Sequence, residues 1–187
     1  MHDIEPFYDW KHLYSSEEDK LSPFYGREYN EFYFTNKIYN YVIHPQWDSM
    51  GSETLYLKII FVDYKKKFAV IELIGEWNDT INNDIMVLKR EIVDSLISEG
   101  INKFFMICEN VYNFHYSDDE YYIEWKEDIE STGGWIVFTG ISEIVKIEMD
   151  KVNMDYYAHF IEIDNWRNFN PIALEKNIIG NLKKLLK

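Results

Sequence analysis

Four carboxylates and one histidine are the residues of this 187-residue chain whose types and placing could do chemistry: Glu76, Asp79, Asp118 and Asp119, with His115 close to the last pair. Oxygen ligands of this kind hold a hard divalent cation, and an imidazole beside such an ion can move a proton in metal-assisted hydrolysis. The plainer account is that Asp and Glu at helix starts offset the helix dipole. No metal motif of fixed spacing favours the first account over the second. His2, His12, His44 and His159 have none of the His-x-x-x-His or Cys-x-x-Cys spacing of a zinc site, and a Gly-x-Ser-x-Gly nucleophile elbow is absent. The single cysteine, Cys108, falls in the apolar run 103–111 and reads as a small core residue. Phosphate cradling needs glycine-rich backbone with Lys or Arg at a helix N-terminus, whereas these helix starts carry Asp and Glu. A nucleotide is therefore not expected, and no cofactor is.

Charge narrows the partners further. Nineteen Lys and Arg stand against 33 Asp and Glu, a formal net charge of −14, so the mean field repels nucleic-acid phosphates and anionic lipid. The tail 171–187 departs from this pattern, with Lys176, Lys183, Lys184 and Lys187 against Glu175 alone. No stretch approaches the twenty apolar residues of a spanning helix, and the start carries no recognisable signal peptide. A cytoplasmic protein of bacterial type is expected.

The elements that must position these residues follow from periodicity. Residues 54–64 place Leu55, Leu57, Ile59 and Phe61 on one strand face and Tyr56, Lys58 and Ile60 on the other. The Lys65-Lys66-Lys67 turn leads into 68–74, an apolar strand interrupted only at Glu72. Asn82 or Asn83 caps a helix with Ile85, Leu88, Ile92 and Leu96 on one stripe, closed by Gly100. The runs 103–111 and 135–141 have the composition of parallel strands covered on both faces. Ser117-Asp118-Asp119-Glu120 between them has the form of a capping box, with Ser117 as N-cap. Ser142 opens a segment of ambiguous period to about 153, and 156–163 reads as a last strand. Asn170 and Pro171 start a helix whose Ile178, Leu182, Leu185 and Leu186 recur on one face. That helix either covers the sheet or docks on a partner or a second copy; membrane attachment is the weakest option. The first 53 residues hold thirteen of the aromatics, too dense for a loose leader, and 31–43 reads as a hairpin that extends the main sheet.

A two-strand hairpin followed by helix, strand, helix, strand, helix, strand and final helix resembles the STAS fold of sulfate-transporter tails and anti-sigma-factor antagonists. The resemblance covers 54–187 and leaves 1–53 as an aromatic extension packed on that α/β domain. In the antagonists the strand after the first helix leads to a phosphorylatable serine or threonine at the start of the next helix. Here Ser117 stands in the comparable place, which makes it a candidate phosphosite. Phosphorylation would put about −1.5 to −2 charges beside Asp118, Asp119 and Glu120, so its plain role as a structural cap is the preferred one.

In an open α/β sheet, ligands bind at the carboxyl ends of parallel strands. That rule selects a rim of Glu76, Trp77, Asn78 and Asp79, then Glu109, Tyr112, Asn113, His115, Asp118 and Asp119, then Thr139, Gly140 and Ser142. The expected function is a non-catalytic interaction or regulatory module of STAS-like type, gripping a protein partner through Trp77, Asn78, Asp79, Tyr112 and His115. A metal-dependent hydrolase using Glu76, Asp79, Asp118 and Asp119, or a homo-oligomeric scaffold joined through the helix 171–187, are the alternatives.

Overall fold

A small hairpin, β1 (Lys37–Ile38) and β2 (Tyr41–Val42), stands apart from a six-stranded sheet in the computed structural model, which describes residues 4–30 and 32–185. His2, Glu31, Leu186 and Lys187, named above, lie outside these residues. The strands of the large sheet are β3 (Asp48–Ser49), β4 (Leu55–Asp63), β5 (Phe68–Asn78), β6 (Lys103–His115), β7 (Trp135–Thr139) and β8 (His159–Phe160), side by side in chain order. The first two pairings are antiparallel and the last three parallel, so each parallel step needs a helical crossover.

Those crossovers are α1 (Asp79–Asn82) and α2 (Asp84–Val87), which continues through a π turn, Leu88–Val93, into α3 (Asp94–Ser98); then α4 (Glu120–Glu130) and α5 (Glu143–Lys151). The ambiguous segment after Ser142 is thus a helix, and Ser142 caps it by accepting the Val145 N–H at 3.4 Å. A final helix, α6 (Pro171–Leu185), returns across the sheet. The mixed α/β sheet with crossover helices is the expected fold class.

Two cores result. On one face, α2 to α5 bring Ile85, Leu88, Ile92, Leu96, Tyr122, Trp125, Val145 and Met149 against Leu57, Ile71, Phe104, Met106 and Phe138. Cys108 lies buried in this core, where burial pushes its thiol pKa far up. On the other face, Leu174, Ile178 and Leu182 of α6 pack with Trp10 and Trp166 on Ile60, Val70, Phe105 and Val137. The apolar stripe of the C-terminal helix therefore covers its own sheet. Ile178 and Leu182 are thereby taken up within the chain, whereas Leu185, further along the expected stripe, is 60% exposed.

Three further expectations need correction. The hairpin near 31–43 turns at Tyr39-Asn40 and does not extend the main sheet; β3, within the segment read as a loop, pairs with β4 instead. The alternation in β4 breaks at a bulge between Ile59 and Phe61, so Val62, not Phe61, rejoins Leu55, Leu57 and Ile59 on the helical face. The last strand is only two residues long, with one further bond from the Ile161 N–H to the Phe138 carbonyl.

Candidate functional site

β5 and β6 run on together to Asn78 and His115, well past Thr139, where β7 ends. Residues expected in rim loops therefore lie inside strands, and the strand period divides them. Trp77 is 0% exposed and packs against Phe114, Tyr122 and Phe138. Asn78 and Asp79 are also buried. Asp79 accepts from the Trp77 indole N–H at 3.0 Å, the Ile85 N–H at 2.9 Å and the Tyr122 hydroxyl at 2.7 Å. Burial is the main cause that lifts its pKa to about 6, against those hydrogen bonds, which favour the charge. Asn78 caps α1 through the Ile81 N–H, and the buried Asp84 accepts the Asn78 N–H at 2.7 Å. These three expected contact residues hold the strand-to-helix corner in place and offer no surface to a partner.

The outward-facing remainder is different. Glu76 accepts from the Tyr39 hydroxyl at 2.6 Å and the Asn113 amide at 2.9 Å, which ties the β1–β2 hairpin to the edge of β6. Tyr112 is half-buried against the cluster of Ile38, Ile43, Trp47, Tyr56 and Ile74. His115 and Ser117 are exposed. The capping box does not form. Asp119 is the N-cap residue of α4, without a side-chain bond, and Glu120 donates its N–H to Asp118. Asp119 instead accepts from the Tyr157 hydroxyl at 2.8 Å.

Glu76, Asp79, Asp118 and Asp119 do not gather into a metal-competent set. Among the described residues only Asp94, Glu124 and Asp128 offer three carboxylates within reach of one ion. The fully buried Lys89 fills that position with its own ammonium, paired to Asp94, to Glu124 at 3.4 Å and to Asp128 at 2.9 Å, while Arg90 grips Glu124 with two bonds. The cluster is a tie between the π turn and α4.

Sequence reasoning missed the polar system on the opposite face. Lys58 of β4 stands opposite Glu72 of β5, Glu72 beside Ile107, and Ile107 beside Thr139. Glu72 accepts the Phe7 N–H at 2.8 Å and lies 3.5 Å from Arg167, whose guanidinium also reaches Glu109 at 2.6 Å. Burial lifts the Glu72 pKa to about 7 in spite of these partners. Glu109 accepts from the Trp166 indole at 2.8 Å and presses on Gly140, where a Cβ would come within 2.4 Å of its Cγ. At the other end of the row Lys58 lies 3.2 Å from the buried Asp48, which also meets Arg27 at 3.3 Å and the Tyr29 hydroxyl at 2.6 Å. The signal was present as a charge inside each of two apolar strands.

Above Lys58 the segment 5–17 arches over β4 and leaves a cavity of about 410 Å³, lined by Phe7, Tyr8, Lys11, Tyr14, Ser15, Glu17, His44, Lys58 and Ile60 among others.

No protein-family model and no curated protein matches the chain. Among solved structures it is similar in fold to anti-sigma factor antagonists. A Thermotoga maritima protein assigned to that class shares 19% identity over 58% of this chain and 86% of its own, with a TM-score of 0.43. The phosphorylated form of the Bacillus cell fate determinant SpoIIAA shares 11% over 58% and 92%, at 0.42. An NMR structure of the same Thermotoga protein shares 18% over 68% and 89%, at 0.42. No helix among the described residues is long and apolar enough to cross a membrane.

Proposed function

We propose that this chain is a non-catalytic interaction or regulatory module that holds a protein partner on the surface made by residues 32–41 and the adjoining ridge of β5 and β6. One observation carries this reading: Phe32 is 86% exposed and Tyr33 72%, and Phe34, Tyr39 and Tyr41 are exposed beside them. Clustered aromatics left in water mark interaction surfaces, since each buries a large area at small entropic cost when a partner arrives. The Tyr39–Glu76–Asn113 bonds join this patch to β6, the strand that ends at the exposed His115, and we take the imidazole and the Ser117 hydroxyl as the rim of the same surface. A phosphate on Ser117 would then add negative charge at the edge of the same surface.

The test is photo-crosslinking in native lysate, with a benzophenone amino acid placed at Tyr33 or at His115. The same adduct should form from both positions and disappear in a Phe32→Ser, Tyr41→Ser variant that unfolds at the wild-type temperature. An adduct with a second copy of the chain would make it a scaffold, and no specific adduct from either position would overturn the proposal.

A further inference from the structure

We propose that the exposed aromatic surface seats a basic, arginine-bearing segment of its protein partner, with a guanidinium laid on the Tyr39 ring beside the Glu76 carboxylate. This rests on residues 32–41 being an interaction surface and adds the kind of chain that the surface selects.

The fold already contains one such seat. Tyr29 donates its hydroxyl to Asp48 at 2.6 Å, and the Lys58 ammonium lies 3.9 Å from the centre of the Tyr29 ring and 3.2 Å from Asp48. A phenol bonded to a carboxylate offers one cation two attractions, the face of the ring and the neighbouring charge. Tyr39 repeats the pairing, donating its hydroxyl to Glu76 at 2.6 Å. Its ring is 59% exposed, and among the described residues no Lys or Arg of this chain stands over it. Tyr29 is thus served from within the fold, whereas Tyr39 presents the same pair of groups to the outside.

The surroundings of Tyr39 give the sign of the partner's charge. Phe34 stands edge-on to His44, with ring centroids 5.5 Å apart, and His44 lies 3.6 Å from Glu5. Tyr56 donates its hydroxyl to the Lys37 carbonyl at 3.0 Å. Burial raises the pKa of that hydroxyl and the nearby Glu53 adds to the rise. Glu5, Glu53 and Glu76 are therefore set around the hairpin, while Lys37 is the only charged residue within 32–41. The net charge of −14 carries the same sign to longer range, so a cationic segment is drawn in and an acidic one is repelled. A guanidinium suits the ring better than an ammonium, because its plane stacks on an aromatic face and is more weakly hydrated. Phe34, Asn40, Tyr41 and Val42 line a hollow of about 390 Å³, which offers contact to an apolar residue next to the basic one. Local bonds hold the rings in place: Asn30 Oδ1 accepts the Phe32 and Tyr33 N–H groups at 2.8 and 2.9 Å, and Ile38 and Ile43 are buried with Trp47 beneath the hairpin.

The experiment is an amide NMR titration of the full chain with the capped peptide Ala-Leu-Arg-Ala-Arg-Leu and with the same peptide carrying Lys or Glu in place of both Arg, beside the lysate crosslinking from Tyr33 and His115. The arginine peptide is expected to give saturable shifts confined to 32–42, 53 and 76, with the lysine form about threefold weaker and the glutamate form giving none. Tyr39→Leu should weaken the arginine peptide about fivefold, and Glu53→Gln, at an exposed position, about twofold. No saturable shift at millimolar arginine peptide, shifts elsewhere on the acidic surface, equal binding of the glutamate form, or unchanged affinity in Tyr39→Leu would each overturn the proposal. A crosslinked partner whose attached segment holds no Lys or Arg would overturn it too and leave the interaction surface standing, whereas the absence of any adduct from Tyr33 and His115 would overturn both.

Discussion

On the face covered by α2 to α5, the inward strand residues include Leu55, Leu57, Ile59, Val62, Ile71, Leu73, Trp77, Phe104, Met106, Cys108, Phe114 and Phe138, all apolar. On the face covered by α6 and the N-terminal segment, Lys58, Glu72 and Glu109 interrupt the apolar set; Lys58 pairs with Asp48 of the neighbouring β3 and with Glu17, while Glu72 and Glu109 find partners far away in sequence. The first face is held chiefly by contact area and carries buried carboxylates at its strand-to-helix corner, Asp79 and Asp84. The second is held partly by directed bonds, which specify where the covering segments sit and make the fit responsive to protonation.

The largest effect should come from breaking the apolar face. Trp77→Ala removes a fully buried ring and the donor to Asp79, so a loss of about 3–5 kcal/mol is expected in urea denaturation. Lys89→Met, at the outer edge of the same face, leaves Asp94, Glu124 and Asp128 without their central cation. It should cost about 1 kcal/mol by the same measurement, since the carboxylates left behind are a third or more exposed and Asp94 and Glu124 keep Arg90.

Protonation sharpens the contrast. Glu72 has its pKa raised to about 7 in the fold from an ordinary 4.5. Between those values the unfolded chain gives up a proton that the folded chain keeps, so this group's stabilising share is complete below pH 4.5 and is lost as pH rises through 7. The expected loss is about 3 kcal/mol, and Glu72→Gln should flatten the stability profile between pH 5 and 8. Asp79 obeys the same sign with a lower window, from 3.8 to about 6, so Asp79→Asn should leave the slope above pH 6.5 unchanged. A slope above pH 6.5 that survives Glu72→Gln would remove the distinction between the two faces.

The smallest effect belongs to Ser117. Its hydroxyl reaches only Asp118, at 3.5 Å, and caps nothing, so Ser117→Ala should change stability by less than about 0.5 kcal/mol. A loss of about 1 kcal/mol or more would restore the capping role expected from the sequence.

Local period and composition made much of the fold legible. Apolar runs gave β5, β6 and β7, and the Ile85-Leu88-Ile92-Leu96 stripe gave the long helix, because those signals sit within one element. The bulge in β4 left no mark in the residue types, since Ile59, Ile60 and Phe61 suit either face. The rim failed for a related reason: Glu76, Trp77 and Asn78 look like loop residues, yet β6 continues beside them and keeps them in the sheet. Glu72 stood out as a charge in an apolar strand. Its partners did not, because Phe7 is 65 residues away and Arg167 is 95, and no local pattern reports pairings across such separations.

Phe7 and Trp10 stack edge-on against Trp166, with ring centroids 4.9 and 5.8 Å apart. Synthesis runs N- to C-terminal at roughly 5–20 residues per second, so Phe7 and Trp10 emerge well before the Trp166 ring on which they pack. Until the chain beyond Trp166 has emerged, the N-terminal rings have no tryptophan to close on and Glu72 no arginine. A chain cut before that point would leave the apolar, charge-bearing side of the sheet uncovered while the residues of its other side are all in place.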